Sequence, residues 1–341
     1  MINEFISKAE AVSGSLWMFV LPMLVTFFVT AVLGPVLIPW LTKLKFGQQI
    51  LEIGPNWHKK KAGTPTMGGI MFICGCIIAV GGALFAKMDI RLLMMLVISL
   101  GFGLIGFVDD YVKVCKKRNL GLTAKQKFAL QAILAIIYIL VLKGTGNLDN
   151  EIIVPFVKTT ISMPWWLYIV LILFVVTGTV NAVNLTDGLD GLATSITSVV
   201  ALFFAVAAVL FADRASAIFS MAVLGGCLGF LIFNRHPAKV FMGDTGSLFL
   251  GGAISVLAIG LEMPLILVIA GFVYLFEALS VIMQVASFKL TGKRIFKMSP
   301  IHHHFEMCGW REVKIVSVFT LVTLILCIVA VAAIMPAMGG F

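Results

Sequence analysis

The chain has 341 residues, of which 60% are hydrophobic and 12% are charged, and its mean hydropathy is +1.09. These values exclude a soluble globular domain and predict an integral membrane protein. The net charge of +9 does not indicate nucleic-acid binding, because no basic and aromatic module stands apart from the apolar segments. We therefore expect membrane lipid, and no nucleic acid, among its partners.

Apolar segments long enough to cross a bilayer recur along the whole chain. They predict an all-α integral membrane protein, a single polytopic domain with about ten transmembrane helices. The predicted spans are residues 17–42, 67–86, 92–108, 128–142, 165–181, 193–212, 215–233, 248–262, 264–287 and 313–336. The short separations before residues 215 and 264 predict tight hairpins.

The basic residues are divided unequally between the two sides of the membrane. Nineteen of the 25 lysines and arginines lie in the odd-numbered loops, with Arg311 and Lys314 included. The positive-inside rule therefore predicts that the odd loops are cytoplasmic and that both termini are extracytoplasmic. Between the fourth and fifth spans, the alternating segment "EIIVPFVKTTI" predicts a small extracytoplasmic β-hairpin.

Polar clusters follow every odd-numbered span. They are "GPNWHKKKAGTPTMGG" (54–69), "FVDDYVKVCKKRNLGLTAKQK" (107–127), "NAVNLTDGLDG" (181–191), "FNRHPAKVFMGDTGS" (233–247) and "SPIHHHFE" (299–306). Ordinary loop residues would form comparable clusters in the even loops, which are mostly short hairpins. The pattern therefore predicts one composite site on the cytoplasmic surface.

Carboxylates dominate this predicted site. They come from three loops, with Lys113 as the one neutralising partner on the same loop, and are Asp109, Asp110, Asp187, Asp190 and Asp244. Hard oxygen ligands without a cysteine cluster favour Mg²⁺ or Mn²⁺ over zinc. A magnesium ion held by one or two carboxylates, with room for phosphate oxygens, is typical of phosphoryl transfer.

Spacing refines the roles of these acids. On a helix Asp187 and Asp190 would share a face, whereas Asp109 and Asp110 would point about a quarter-turn apart and so serve two roles. Taken alone, Asp190 is equally compatible with a helix cap or a solvated loop residue. Four glycines would allow the backbone to approach a ligand closely: Gly188, Gly191, Gly243 and Gly246.

Two further features carry ionisable groups. The run His302-His303-His304 lacks the neighbouring ligands of a zinc site, so phosphate or sugar contact, or proton transfer, is the better interpretation beside so many lysines. Glu277 lies within the ninth span, where a carboxylate costs on the order of 3 kcal/mol. We expect it either to face a cavity or to be protonated.

The motifs "GTPTMGG", "DDYVK", "NLTDGLDGLA", "FMGDTGSL" and "PIHHHFE" occur in this order in alternating loops. Together they resemble the phospho-N-acetylmuramoyl-pentapeptide transferases, the MraY translocases of bacterial cell-wall synthesis, over residues 54–306. The acidic motifs alone would indicate only the wider superfamily of polyprenyl-phosphate sugar-1-phosphate transferases. The Thr-Met-Gly-Gly and triple-histidine elements favour this branch over the N-acetylglucosamine-1-phosphate branch.

The resemblance implies an enzyme of the bacterial cytoplasmic (inner) membrane. Its reaction would transfer phospho-MurNAc-pentapeptide from UDP-MurNAc-pentapeptide to undecaprenyl phosphate, giving lipid I and UMP, with Mg²⁺ required. It also implies a homodimer.

The resemblance assigns roles to individual residues. It implies Asp244 as the metal ligand, with Asn184 helping to position the metal or the diphosphate. The implied catalytic set is Asp109, Asp110, Lys113, Lys125, Asp244, His302 and His303. The implied substrate-binding set, in which Phe241 stacks on the base, is Lys61, Thr66, Asn184, Asp187, Gly188, Leu189, Asp190, Asn234, Phe241 and His304.

Direct attack by the lipid phosphate, with Asp109 as the base, is favoured over a phospho-enzyme, because a phosphate oxygen is already anionic and mainly needs positioning and charge relief. Three alternative functions remain. An N-acetylglucosamine-1-phosphate transferase would share the acidic motifs. A secondary transporter would place its polar residues at the midplane and show paired half-repeats. A lipid-binding scaffold would use the basic segment 286–297, which we instead expect to continue the ninth helix along the membrane interface.

Overall fold

A computed structural model of the chain describes residues 7–8, 16–43, 63–115 and 121–338, and most of these residues are helical. The first helices are α1 (Leu16–Lys43), α2 (Ile70–Ala86), α3 (Ile90–Cys115) and α4 (Ala124–Gly144). After strands β1 (Glu151–Ile153) and β2 (Thr160–Ser162) come α5 (Trp165–Thr186), α6 (Leu192–Leu210), α7 (Arg214–Asn234) and α8 (Gly243–Gly260). The chain ends with α9 (Leu267–Ala270), α10 (Phe272–Thr291), α11 (Ile301–Met307) and α12 (Glu312–Met338).

The predicted transmembrane architecture is confirmed for most spans. Within the described residues, nine helices are long and apolar enough to cross a membrane, namely α1, α3 to α8, α10 and α12. Helices suit this environment because they satisfy their own backbone hydrogen bonds. The second predicted span is the shorter helix α2, whose 17 residues extend about 26 Å.

The prediction of one continuous ninth helix over residues 264–287 is wrong. Residues Pro264–Ile266 form a 3₁₀ turn, α9 ends at Ala270, and Gly271 separates it from α10. Glycine at the break disfavours a continuous α-helix, whereas the proline at the start of the turn is compatible with a helix beginning there. The two breaks place the long helix α10 later in the chain than the hydrophobic pattern alone indicated.

The expected continuation of the ninth helix over residues 286–297 holds only as far as Thr291 and is wrong beyond it. Helix α10 ends at Thr291, and Gly292 takes the left-handed conformation (φ +68°) that commonly terminates helices. Gln284 then binds the returning chain: its side chain accepts from the backbone N–H groups of Ile295 and Phe296 and donates to the Phe296 carbonyl. Residues 293–300 therefore fold back on α10.

Helices α6, α7 and α8 form the buried centre of the protein, while α1, α4, α10 and α12 expose apolar side chains. Helix α8 packs antiparallel against α3 and also contacts α5. A Cβ on Gly106 of α3 would collide with the Asp244 carbonyl, and one on Gly252 would collide with the Phe102 ring. These glycines let the two backbones approach closely, as small residues do between membrane helices.

The predicted β-hairpin is confirmed. Strands β1 and β2 pair antiparallel, with Ile152 opposite Ile161. Ile152 and Ile153 are buried, and the Ile153 N–H donates to the carbonyl of Glu262, which follows α8. The hairpin thus covers the end of α8 that lies farthest from Asp244.

That same end of the α3–α8 pair carries one charged contact. Arg91, at the start of α3, forms an ion pair with Asp213 and donates a hydrogen bond to the Gly260 carbonyl at the end of α8. Asp213 also accepts from the Ser216 N–H at 2.7 Å and so caps α7. This Arg91–Asp213 clamp joins three helices with one positive and one negative charge.

Candidate active site

Two acids and two lysines form an acid–lysine cluster of Asp109, Lys113, Lys127 and Asp244 where α3, α4 and α8 meet. The Lys113 ammonium lies 2.7 Å from Asp109 Oδ2 and 3.0 Å from Asp244 Oδ2. The Lys127 ammonium lies 3.0 Å and 2.7 Å from the same two oxygens. Each lysine therefore bridges two carboxylates that are far apart in the sequence.

Local structure explains how these lysines reach the acids. Lys113 lies one helical turn after Asp109 on α3, so the two side chains share a face. Helix α4 begins with a capping box in which Thr123 and Gln126 satisfy each other's backbone N–H groups. This start places Lys127 in the first turn, directed at the cluster.

Asp110 makes different contacts from its neighbour Asp109, and they are contacts within the protein. Its Oδ1 accepts from the Asp244 N–H at 3.2 Å, and its Oδ2 accepts from the Thr245 N–H and hydroxyl at 2.9 and 2.7 Å. A carboxylate at these groups satisfies and stabilises the N-terminus of α8. Asp110 therefore fixes the helix that carries Asp244.

Asn184, near the end of α5, holds the other oxygen of Asp244. Its side-chain amide donates to Asp244 Oδ1 at 3.0 Å and to the Ser247 hydroxyl at 2.8 Å. The contact supports a role in positioning the Asp244 carboxylate.

Asp187 adds a further carboxyl group beside the cluster. It is the C-cap of α5, outside the membrane-spanning helices, and the residue as a whole keeps some exposed surface. Burial of the carboxyl, together with the charges of Asp244, Asp110 and Asp190, raises the pKa of Asp187 well above its ordinary value. With Asp110 and Asp187, four carboxyl groups lie in or beside the cluster, against its two lysines.

The expectation that Asp187 and Asp190 share a helical face is wrong, because α5 ends at Thr186 and α6 begins only at Leu192. Asp190 is buried and accepts from the Ala238 N–H at 3.0 Å, and it lies 3.1 Å from Nδ1 of His236. The alternative of a solvated Asp190 is therefore also wrong.

Glu312, in the first turn of α12, forms a second cluster with Asp190 and His236. It accepts from the Asp190 N–H at 2.5 Å and lies 3.3 Å from Nδ1 of His236. These contacts connect the turn after α5, which carries Asp190, with the turn after α7, which carries His236, and with Glu312 at the start of α12.

The segment 63–69, which carries the "GTPTMGG" motif, pairs with the segment that precedes α8. The Phe241 N–H donates to the Pro65 carbonyl, and the Gly68 N–H donates to the Phe241 carbonyl, both at 2.9 Å. Thr66 and Phe241 are half-buried side chains on these paired segments. The pairing brings both predicted substrate-binding residues to the neighbourhood of Asp244.

Asn234 and Leu189, predicted to bind uridine, are both buried. The amide of Asn234 is used within the protein, because it donates to the Val240 carbonyl at 3.0 Å and accepts from the Thr194 hydroxyl at 2.8 Å. In this arrangement Asn234 shapes the loop between α7 and α8. Its uridine contact stays a prediction.

The three histidines lie on the short helix α11 but in different environments. His302 is fully buried, with Nδ1 3.0 Å from Oε2 of the buried Glu277. His303 Nδ1 lies 2.6 Å from Oε2 of Glu306, and His304 Nδ1 accepts from the Lys297 N–H at 3.1 Å. The sequence analysis expected Glu277 either to face a cavity or to be protonated, and it did not predict His302 as the partner of Glu277.

Three of the four glycines predicted to approach a ligand lie close to other parts of the protein, and their approach to a ligand stays a prediction. A Cβ on Gly188 would collide with the His302 ring, and one on Gly243, whose φ is +71°, would lie 2.6 Å from Asp110 Oδ2. Gly246 packs against Gly69 of the paired segment. Close packing of the walls around the cluster therefore explains these glycines.

Two predicted site residues are not among the contacts of the cluster in the described part of the chain. Lys61 falls outside the described residues, and Lys125 is exposed and takes no part in the ion pairs of the cluster. The sequence interpretation that Lys113 alone neutralises the acids is wrong, because Lys127 does so equally. The direction of Lys127 depends on where α4 begins, and the capping pattern Thr123-x-x-Gln126 is the signal that could have shown it.

The acids also provide a donor set suited to a hard cation. Asp109, Asp110 and Asp244 each offer an oxygen, and these three atoms all lie within 4.8 Å of one another. Oxygen ligands at such separations fit Mg²⁺ or Mn²⁺.

Comparison with known proteins decides the family. Residues 92–262 match the family model described as glycosyl transferase family 4, and residues 61–73 match the phospho-N-acetylmuramoyl-pentapeptide-transferase signature 1. A phospho-N-acetylmuramoyl-pentapeptide-transferase from Acetivibrio thermocellus is 50% identical over 314 residues, which cover 91% of this chain and 94% of the relative. The chain belongs to the phospho-N-acetylmuramoyl-pentapeptide-transferase family.

Other members of this transferase family show the same degree of similarity. The protein of that name from Bacillus cytotoxicus is 50% identical over 309 residues, covering 90% of this chain and 95% of its own length. The one from Clostridium novyi is 50% identical over 319 residues, covering 94% and 97%. The family resemblance found in the sequence motifs is thus confirmed, and the chain is a multi-pass membrane protein of a transferase family.

Proposed function

We propose that the protein transfers phospho-MurNAc-pentapeptide from UDP-MurNAc-pentapeptide to undecaprenyl phosphate, releasing UMP and forming lipid I in the bacterial cytoplasmic membrane. The observation that carries the proposal is the acid–lysine cluster, in which Lys113 and Lys127 each bridge Asp109 and Asp244. Both substrates are anionic, and one is embedded in lipid. Such a reaction belongs at a membrane surface lined by lysines and by acids that can hold a cation.

We also propose that the reaction requires Mg²⁺. The three convergent carboxylate oxygens of Asp109, Asp110 and Asp244 fit such an ion. Since both oxygens of Asp110 already bind the N-terminus of α8, and Asp109 is the proposed base, Asp244 is the principal candidate ligand, with Asn184 positioning it. When bound, the ion would relieve the charge on the diphosphate.

The chain's own residues have distinct parts in this scheme. Asn184 and Asp110 hold Asp244 in place from two sides, one through its carboxylate and the other through its backbone. Lys113 and Lys127 compensate the acids before substrate arrives, and we expect them to turn to phosphate oxygens when substrate binds. Asp187, Thr66 and Phe241 lie near this point and remain the proposed contacts for the nucleotide and sugar.

Asp109 is the proposed base for direct attack by the lipid phosphate. Its Oδ1 accepts from the Leu122 N–H at 2.7 Å, which fixes the side chain beside the two lysines. Asp109→Asn should reduce kcat by about a hundredfold or more while changing the Kd for UDP-MurNAc-pentapeptide only modestly. Single-turnover quench experiments should trap no phosphorylated aspartate, and a trapped phospho-aspartate would contradict direct attack.

The function itself is tested with detergent-purified protein, a polyprenyl phosphate and Mg²⁺. UMP release is followed from UDP-MurNAc-pentapeptide and, in parallel, from UDP-N-acetylglucosamine. Release from the first alone, abolished by EDTA, is the expected result. Release from UDP-N-acetylglucosamine alone would assign the neighbouring branch, and release from neither would refute the transferase proposal.

We further propose that the protein is a homodimer whose termini are both extracytoplasmic. The orientation rests on the 19 basic residues of the odd loops. Cysteine-accessibility labelling in inverted and right-side-out vesicles tests this orientation, and cross-linking in native membranes tests the dimer.

A further inference from the structure

A buried row of three residues connects α10 to the turn after α5. Glu277 on α10 and His302 on α11 are both fully buried, and Oε2 of Glu277 lies 3.0 Å from Nδ1 of His302. The opposite edge of the imidazole rests on Gly188, where a Cβ would collide with Nε2. The row therefore ends at the turn that carries Asp187.

Stability does not explain this row. A carboxylate within a membrane helix costs on the order of 3 kcal/mol, and a buried ionisable pair is often no more stabilising than apolar residues of similar volume. In addition, Oε1 of Glu277 and Nε2 of His302 have no hydrogen-bond partner within the described part of the chain. Buried polar atoms left in this condition call for a functional explanation.

The hydrogen bond between the two residues fixes the histidine ring. The contact holds the imidazole through Nδ1, whichever of the two groups donates the proton. A carboxyl group placed behind a histidine in this way fixes the ring plane. Nε2 is thereby directed at Gly188, and because His302 is buried, its ring acts on the turn by packing.

We propose that Glu277 is a positioning residue: it acts through His302 on Gly188 to hold the Asp187–Gly188 turn against the acid–lysine cluster. This role rests on the transferase function proposed above. Glu277 itself touches none of the reacting groups. Its loss should therefore weaken nucleotide-sugar binding through a displaced Asp187 and leave the chemistry at Asp109 and Asp244 less affected.

The first test measures KM and kcat for UDP-MurNAc-pentapeptide together with the thermal midpoint in detergent. Glu277→Ala should raise KM about tenfold with a smaller change in kcat, whereas Glu277→Gln, which keeps a hydrogen-bond partner for Nδ1, should stay within about threefold of the wild type. Tyr274→Phe is the matched control. Tyr274 is buried one turn earlier on α10 and its hydroxyl lies 2.7 Å from the Thr197 hydroxyl, so its loss should lower the midpoint without changing KM.

A double-mutant cycle gives the decisive measurement. If Glu277 acts through His302, then Glu277→Ala should cause no further rise in KM in a His302→Ala background. Likewise, Gly188→Ala should impair the wild-type protein strongly and the His302→Ala variant much less, because the added methyl group then has space. Should Glu277→Ala fail to fold, Glu277→Asp replaces it in the same cycle with a smaller expected rise in KM.

Additive effects of Glu277 and His302, or an equal rise in KM for Tyr274→Phe, would overturn the positioning role. A wild-type protein that releases no UMP from UDP-MurNAc-pentapeptide would instead overturn the proposed function. The two failures are distinct, because the first is seen only when the wild type turns over.

Discussion

The two ends of the α3–α8 pair hold charge in different ways. At one end, Arg91 meets Asp213 and a backbone carbonyl, so one positive charge faces one negative charge. At the other end, Lys113 and Lys127 face Asp109 and Asp244, with the carboxyls of Asp110 and Asp187 close by. The clamp is balanced without any ligand, whereas the carboxyl groups in and beside the cluster outnumber its two lysines. This difference indicates that the first contact is structural and that the second is arranged for an additional cation.

The largest expected effect is from removing the central acid of the cluster. Asp244 receives both lysines and Asn184, so Asp244→Asn removes the charge while keeping the hydrogen-bonding shape. We expect kcat to fall on the order of 10²–10³-fold. UMP release measured across a Mg²⁺ titration checks this. A variant with wild-type turnover and unchanged metal dependence would show that Asp244 has no catalytic role.

A smaller effect is expected from the two lysines near the start of α4, which form a matched pair. Lys127 contacts Asp109 and Asp244, whereas Lys125 is exposed two residues earlier on the same helix. Lys127→Ala should lower kcat/KM about tenfold to a hundredfold, and Lys125→Ala should change it by about threefold at most. Steady-state UMP release compares the two variants. The reverse order would return Lys125 to the catalytic role that the sequence resemblance implies.

Mutation of the Arg91–Asp213 clamp should lower the stability of the protein and leave its activity unchanged. Arg91→Met leaves Asp213 nearly buried without its partner, and we expect the free energy of unfolding to fall by about 2 kcal/mol, reduced from the value for a fully buried pair because Arg91 is 25% exposed. Thermal unfolding in detergent measures the loss, with the exposed Lys87→Met as control. The kcat/KM below the unfolding range should stay unchanged, and a large drop would show that the two ends are coupled.

The smallest effect concerns the pH dependence of stability at Asp187. Burial and neighbouring carboxylates raise the pKa of Asp187 in the folded protein, so the fold retains this proton to higher pH than the unfolded chain does. The wild type should therefore lose stability as the pH rises above the ordinary aspartate pKa. Asp187→Asn should be the more stable protein at high pH, and the difference should shrink as the pH falls. Thermal midpoints of the two proteins, measured in EDTA across the pH range, check this prediction. A stability advantage of Asp187→Asn that grows towards low pH would refute it.

Hydrophobic length and polar clustering were sufficient to predict most of the fold. Nine long helices and the hairpin follow from apolar runs and an alternating strand pattern, because the bilayer leaves few other structures available. The break at Gly271 was not predicted, since an apolar run does not reveal where a helix is interrupted inside it. The turn between Asp187 and Asp190 was missed because their spacing also fits a helix.

The acids of the candidate site were predictable by type, but their partners were not. Asp109, Asp110 and Asp244 stand out as carboxylates beside apolar spans, and the structure brings them together. The choice of Lys127 over Lys125 depends on the start of a helix, and the pairing of Glu277 with His302 depends on how two helices pack. Such contacts are set by tertiary geometry, which a single sequence does not display.

The Glu277–His302 pair also has a consequence for the biosynthesis of the protein. The two residues are 25 positions apart, so His302 is still inside the ribosomal tunnel when Glu277 leaves it. During insertion, α10 must therefore enter the bilayer before its carboxyl group has met its partner, and α10 is among the least apolar of the nine long helices in the described part of the chain. Integration of α10 should be completed only after α11 has emerged from the ribosome, so a nascent chain truncated before α11 should insert α10 less efficiently.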